Sequence, residues 1–239
     1  MSAYHIITHQ RRECALSLFS QAKSASKQRV RINRALMKSG VNIIDPFNTY
    51  IDPGVVIGSG TVVHPNCHIK GDTVIGESCE IGPNTTVENC TVGNSTSITY
   101  SVVTDSKIGN NTNVGPFAYI RPNCVVGDNI KVGDFVELKN SNISDGTKIS
   151  HLTYVGDSDV GKKVNFGCGT VTVNYDGTKK HRTIIGDNVF IGCNANLVAP
   201  VKIHNNAFIA AGSTITDDVE QDALAIARAR QVVKSGWNK

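Results

Sequence analysis

Histidine, cysteine and the cationic side chains supply most of the reactive groups in this 239-residue chain, and their spacing sorts them. His64 and His68 lie four apart, the separation that puts two imidazoles on one helical face. The residues around them do not follow helical spacing and no third His joins them, so no metal site is expected. The seven cysteines form no Cys-x-x-Cys pair, and the start of the chain lacks the apolar stretch of a secretory signal. An odd number of thiols in such a chain points to reduced cysteines serving as small apolar side chains, with a cytoplasmic location expected. His151 is a residue of the type that moves protons near neutral pH, although a lone surface His is more often simply solvated. Arg121, Glu137 and Lys139 are, taken singly, ordinary solvated charges. The stretch from Thr172 to Thr183 is polar and basic and carries Tyr175. A projecting loop of this kind is where function concentrates, a tolerated insertion being the alternative.

These residues sit in a frame that repeats every six positions. Ile51, Ile57, Val63, Ile69, Ile75, Ile81 and Val87 share one phase. Ile108, Val114, Ile120, Val126, Val132 and Leu138 share a second, and Ile185, Ile191, Leu197, Ile203, Ile209 and Ile215 a third. Four residues after most of them stands a small or β-branched residue, such as Thr61, Cys67, Cys79, Cys124 or Ala195. A helix cannot present one apolar residue every six positions on a single face. A solenoid of short strands can, turning its corners on Gly, Asn and Asp that tolerate positive φ. The spacing predicts a mainly β fold, a parallel β-helix whose coils stack into one continuous core. Only 18% of residues are charged and 6% aromatic, and Val, Ile and Thr are frequent. That composition excludes a helical bundle, a coiled coil and a disordered chain.

Residues 15–39 are predicted to form a helix from the spacing of Leu16, Phe19, Ala22, Ile32 and Leu36, with Gly40 as its stop. Residues 1–40 carry a net charge of +7, leaving −3 for the rest. Without interleaved aromatics this is expected to be a solvated helix face, with no nucleic-acid partner. No run of about 18 apolar residues occurs, so no membrane span is expected. The repeat stops after Val219, and Leu224–Val233 is predicted as a short helix in the tail. The expected organisation is an N-terminal segment and linker helix over 1–40, a β-helix over 41–219 and a tail over 220–239.

The strings between the corners narrow the reading. They include Gly115-Pro-Phe-Ala-Tyr-Ile-Arg-Pro122, Val132-Gly-Asp-Phe-Val-Glu-Leu-Lys139 and His151-Leu-Thr-Tyr-Val-Gly-Asp157. Asn165-Phe-Gly-Cys-Gly-Thr-Val-Thr-Val-Asn-Tyr-Asp-Gly177, Leu197-Val-Ala-Pro-Val201 and Ala223-Leu-Ala-Ile-Ala-Arg228 extend the set. Over about Lys27 to Trp237 the chain resembles the C-terminal half of the bifunctional glucosamine-1-phosphate acetyltransferase / N-acetylglucosamine-1-phosphate uridyltransferase family, among the hexapeptide-repeat acyltransferases. The resemblance implies a left-handed parallel β-helix, against the usual right-handed crossover, and a homotrimer with sites shared between subunits. It implies acetyl transfer from acetyl-CoA to the amine of glucosamine 1-phosphate, a step toward UDP-N-acetylglucosamine and cell-wall precursors. The family's nucleotidyltransferase domain has no counterpart. The first 40 residues offer only Gly40 and Glu13 for a phosphate loop and metal carboxylates, so no uridyl transfer is expected. Arg228-Ala-Arg departs from the Arg-Val-Pro that the family often shows.

Site residues follow from the resemblance. An amine must be neutral to attack a thioester, and His151 matches the family's general base. Glu137 either orients that imidazole or is a surface charge. Arg121 and Lys139 match contacts to the sugar phosphate, a bidentate and a point cation respectively. Tyr154 and Asn165 match sugar-binding positions, Asn165 being alternatively a plain corner residue. Acetyl-CoA is implied along Cys168, Asn174, Tyr175, Lys180, Cys193, Ala211 and Arg228. Small residues there allow close approach, a backbone N–H near Cys168 stabilises the oxyanion, and Lys180 and Arg228 suit the CoA phosphates. Two rival expectations are another amino-sugar acceptor and a truncated, inert trimer.

Overall fold

The computed structural model describes residues 3–237, with side chains from residue 17 onward. One helix is followed by thirty strands of two to four residues. Successive strands fall on different faces, and each pairs in parallel with the strand three places along, except that Phe208–Ile209 pairs with Leu224–Ala225, two places along. The result is three sheets of eleven, ten and nine strands around a single core. In one sheet Ile81, Ile98, Val114, Val132, Ile149, Phe166, Ile191 and Ile209 form a register ladder, each at most 3% exposed. These are the residues of the six-fold pattern, and their strand neighbours point outward. Ile69 and Val87 pair across eighteen residues, whereas Val87 and Val103 pair across sixteen. Shorter coils keep the ladder in register, which is why the sequence changes phase without breaking the solenoid.

The small slot prefers a hydroxyl because it ties coil to coil. Fully buried Thr61 donates to Gly76 O at 2.8 Å and accepts from Cys79 N at 3.0 Å. Cys67, Cys79, Cys90 and Cys124 are buried in the core. Burial pushes the Cys67 and Cys90 thiols up to about 11 and raises Cys124, so these sulfurs are poor nucleophiles.

Helix α1 runs Ala3–Lys38, twelve residues ahead of its predicted start. No Gly or Pro interrupts residues 1–39, and helix-forming residues extend it where no apolar stripe exists. Ile32 and Leu36 dock it on the core. Fully buried Asn33 donates to Pro46 O at 2.8 Å and to Thr49 O at 2.9 Å. Gly40, at φ 95°, ends the helix as Val41 N bonds Leu36 O at 3.1 Å. The tail differs from expectation. Instead of a helix over 224–233, Leu224–Ala225 add a strand beside Phe208–Ile209, and Val219 bridges Ile203. The open sheet edge offers backbone groups that a helix would leave unpaired. No helix among the described residues is long and apolar enough to cross a membrane.

Candidate active site

His151 ends the strand Lys148–His151 at a corner of the solenoid, and one coil below it Asp134 ends the strand Lys131–Asp134 in register. His151 Nδ1 lies 2.5 Å from Asp134 Oδ1, with the two side chains 55% and 38% exposed. That hydrogen bond holds the Asp134 carboxyl below the usual carboxylate range. A carboxylate on Nδ1 takes its N–H and leaves Nε2 as the acceptor. The coils approach closely here because residue 133 is Gly: a Cβ added to it would meet Ser150 O at 2.0 Å. Glu137 is not the partner of the imidazole. It accepts from Arg121 Nη1 at 2.8 Å and stands in register with Tyr154, around the corner from His151.

On that neighbouring sheet Arg121, Lys139 and Lys180 converge with Asn140 and Asp157 on a cleft of about 400 Å³. Asp157 is the hub. It is 6% exposed, accepts from Asn140 Nδ2 at 2.6 Å and from Asn174 Nδ2, and lies 3.9 Å from Lys139 Nζ. Burial works to raise its pKa, but the two amides and Lys139 outweigh burial and leave it below the ordinary range. Lys180, then burial, push Lys139 below the usual lysine range, against the pull of Asp157. The resemblance grouped Lys180 with the cofactor residues; the structure sets it beside Lys139.

The stretch that carries Lys180 is a built hairpin. Tyr175 and Lys180 form an antiparallel bridge. Asp176 accepts from Thr178 N and Lys179 N at 2.8 Å each and pairs with His181 Nε2 at 2.6 Å. Arg182 anchors its end, with Nε and Nη2 on Asp159 at 2.7 and 2.5 Å and Nη2 on Ser158 O at 3.0 Å. The Arg182 bond holds Asp159 below the ordinary carboxylate range. A depressed carboxylate stabilises above its unfolded pKa and loses that contribution as pH falls through its folded value. Amide exchange at His181, which bonds Asn174 O at 2.9 Å, is therefore expected to speed up relative to the core ladder below about pH 3.9. Exchange at His181 that keeps pace with the core ladder well below that pH would contradict the anchor.

Above His151 the same edge continues through Cys168, Cys193 and Ala211. They precede Gly169, Asn194 and Gly212, at φ 76°, 54° and 72°. Gly169 N bonds Leu152 O at 3.1 Å, Asn194 N bonds Cys168 O at 2.8 Å and Gly212 N bonds Cys193 O at 2.8 Å. At about 4.8 Å per coil, Ala211 stands about 14 Å above His151. Arg228 Cδ is 3.6 Å from where a Cβ on Gly212 would sit. This upper edge is bare of bulky side chains. Below, the same corner carries Tyr100, Phe117, Phe135 and Leu152, all at positive φ and 42–59% exposed.

The structure thus gathers Arg121, Lys139, Asn174 and Lys180 on one face and His151, Cys168, Cys193, Ala211 and Arg228 along one edge. Tyr154 joins the first group, with its hydroxyl 3.4 Å from Asn174 Nδ2, and Tyr175 projects on the hairpin with its own hydroxyl on Gly177 O at 2.7 Å. Asn165 stands apart from the cleft, on the sheet that carries His151, in register with Lys148 at the other end of the His151 strand. Sequence reasoning overlooks Asp134, Asp157 and Arg182. Asp134 is one coil, seventeen residues, before His151, a signal visible only once coil length is known.

Residues 182–217 match the bacterial transferase hexapeptide family (six repeats), and residues 48–121 and 102–189 match the GMPPB C-terminal domain. The bifunctional protein GlmU of Clostridium kluyveri is 55% identical over 216 residues, covering 90% of this chain and 47% of its own. That of Thermoanaerobacter pseudethanolicus is 61% identical over 209 residues, covering 87% and 46%. The chain therefore spans about half the length of the curated relatives it matches. A UDP-N-acetylglucosamine acyltransferase from Francisella novicida shares the fold at a TM-score of 0.51 and 19% identity, over 77% of this chain and 66% of that one. With that likeness the solenoid is a left-handed β-helix. The chain belongs to the family of the GMPPB C-terminal domain, which spans residues 48–189, carries hexapeptide repeats beyond it, and matches the C-terminal acetyltransferase half of the GlmU proteins.

Proposed function

We propose that this protein transfers the acetyl group of acetyl-CoA to the amine of glucosamine 1-phosphate. The observation that carries the reading is the position of the His151–Asp134 pair, at a corner with a cationic cleft on one side and a bare backbone edge on the other. The sugar phosphate takes the cleft, held by Arg121, Lys139 and Lys180, with Tyr154 and Asn174 on the sugar hydroxyls. The acyl donor lies along Cys168, Cys193 and Ala211, its thioester end at His151 and its phosphates toward Arg228. His151 Nε2 removes a proton from the amine as nitrogen attacks the carbonyl carbon. Asp134 stabilises the imidazolium that results. The tetrahedral oxyanion takes a backbone N–H near Cys168, the C–S bond breaks, and the CoA thiolate leaves and accepts a proton.

A homotrimer fits the rest of the edge. Tyr100, Phe117, Phe135 and Leu152 adopt positive φ at a corner where other coils use Asn66, Asn84 and Gly169. Bulky residues pay strain for that conformation, and a neighbouring subunit over the corner would recover it as burial. Asn165, set apart in one chain, would then serve a site shared with the neighbour. The free thiols suit a cytoplasmic setting.

Thiol release from acetyl-CoA tests the acceptor. Glucosamine 1-phosphate is expected to exceed unphosphorylated glucosamine in kcat/KM by about 10²-fold, the worth of losing charged hydrogen bonds. Equal rates with glucosamine, or faster release with glucosamine 6-phosphate, would overturn this assignment of the cleft.

A further inference from the structure

The described cysteines divide in two. Cys67, Cys79, Cys90 and Cys124 are sealed in the core, while Cys168 is half-buried and Cys193 exposed. The backbone fixes how these last two meet. Phe166 and Ile191 are register partners, Gly167 N bonds Ile191 O at 2.8 Å, and Asn194 N bonds Cys168 O at 2.8 Å. Cys168 and Cys193 therefore occupy the same corner position on adjacent coils. Such coils lie about 4.8 Å apart, within the roughly 4.4–6.8 Å between Cα atoms that a disulfide spans. Their flanking residues, Gly167, Gly169 and Gly192, place no bulk between the two thiols. Reactivity follows access, and this pair is the accessible one among the described thiols.

We propose that Cys168 and Cys193 form a dithiol switch on the acyl-donor edge, closed to a disulfide by a small-molecule disulfide such as oxidised glutathione. The Cys193 thiolate attacks one sulfur of oxidised glutathione. That S–S bond breaks, one glutathione thiolate leaves, and a mixed disulfide forms on Cys193. The Cys168 thiolate then attacks the Cys193 sulfur and expels the second glutathione. The protein gives up two electrons and two protons, and the small disulfide is reduced to two thiols. A dithiol reductant reverses both steps. The bridge locks and covers the backbone along which the acetyl donor lies. That loss of transfer rests on the proposed function, whereas formation of the bridge does not.

The test exposes the wild-type protein to a series of glutathione redox buffers, alkylates the remaining thiols and maps disulfide-linked peptides by mass spectrometry beside the transfer rate. A Cys168–Cys193 peptide is expected, with transfer lost in proportion to the bridged fraction and restored by dithiothreitol. Bound acetyl-CoA is expected to slow bridge formation. Cys193→Ala, compared with its own reduced rate, is expected not to respond to the buffers. Separate glutathione adducts without a bridge, or a bridged protein that keeps its reduced rate, would overturn the proposal. If the reduced protein releases no thiol from acetyl-CoA, it is the functional reading that fails, and the peptide map still decides whether the bridge forms.

Discussion

Replacing His151 with Ala is expected to lower kcat by about 10²–10⁴-fold, the range of general base catalysis, while the solenoid stays folded. The side chain is more than half exposed, and its partner is Asp134, also at the surface. The core beneath it is Ile149, in register with Val132 and Phe166, and this ladder is untouched by the change. Melting temperature and oligomeric state should therefore match the wild type. Asp134→Asn is expected to reduce kcat less, because the amide still bonds Nδ1 but no longer stabilises the imidazolium charge. A folded His151→Ala protein with near-normal kcat would remove the base from the mechanism.

Lys139→Ala is expected to raise KM for the acceptor by about 10–10²-fold with little change in kcat, since a charged hydrogen bond made alike in ground and transition states is lost. Lys139 stands with Arg121 and Lys180 around the cleft, so phosphate binding weakens without vanishing. The same cluster sets a pH dependence. Lys180 and burial hold Lys139 below the usual lysine range. A lysine with a lowered pKa loses its charge as pH rises through that lower value. KM for the acceptor should then climb on the alkaline side before ordinary lysines titrate, and the climb should flatten in Lys139→Ala. Steady-state kinetics across that range checks both, and an unchanged KM in the variant would take Lys139 out of the site.

How far the sequence reveals this site depends on what each residue needs from its neighbours. Ile149 and Ile209 are legible because an inward residue every six positions is a local pattern that each coil repeats. Thr61 and Cys79 are legible for the same reason. Contacts between coils are harder, since neighbours in space are sixteen to eighteen residues apart and the interval varies. Asp134 is hidden by that variation, and Glu137, which the sequence offers either as the residue that orients the imidazole or as a surface charge, is turned by the corner toward Arg121. Lys180 returns to Lys139 only through a hairpin whose shape depends on Asp176 and Arg182. The tail strand at Leu224–Ala225 forms because a sheet edge is open there, which its own residues do not announce. The motifs did carry the residues of the edge, since Cys168, Cys193 and Ala211 each fall at a corner that Gly or Asn turns.

The most direct measurement follows an isotopically labelled acetyl group from acetyl-CoA, with glucosamine 1-phosphate present, by mass spectrometry of both sugar and protein. The proposed mechanism predicts the label on the sugar nitrogen, as N-acetylglucosamine 1-phosphate, with His151→Ala leaving most of the acetyl-CoA intact. Label found on a protein cysteine instead, or acetyl-CoA unconsumed by the wild-type protein, would contradict it.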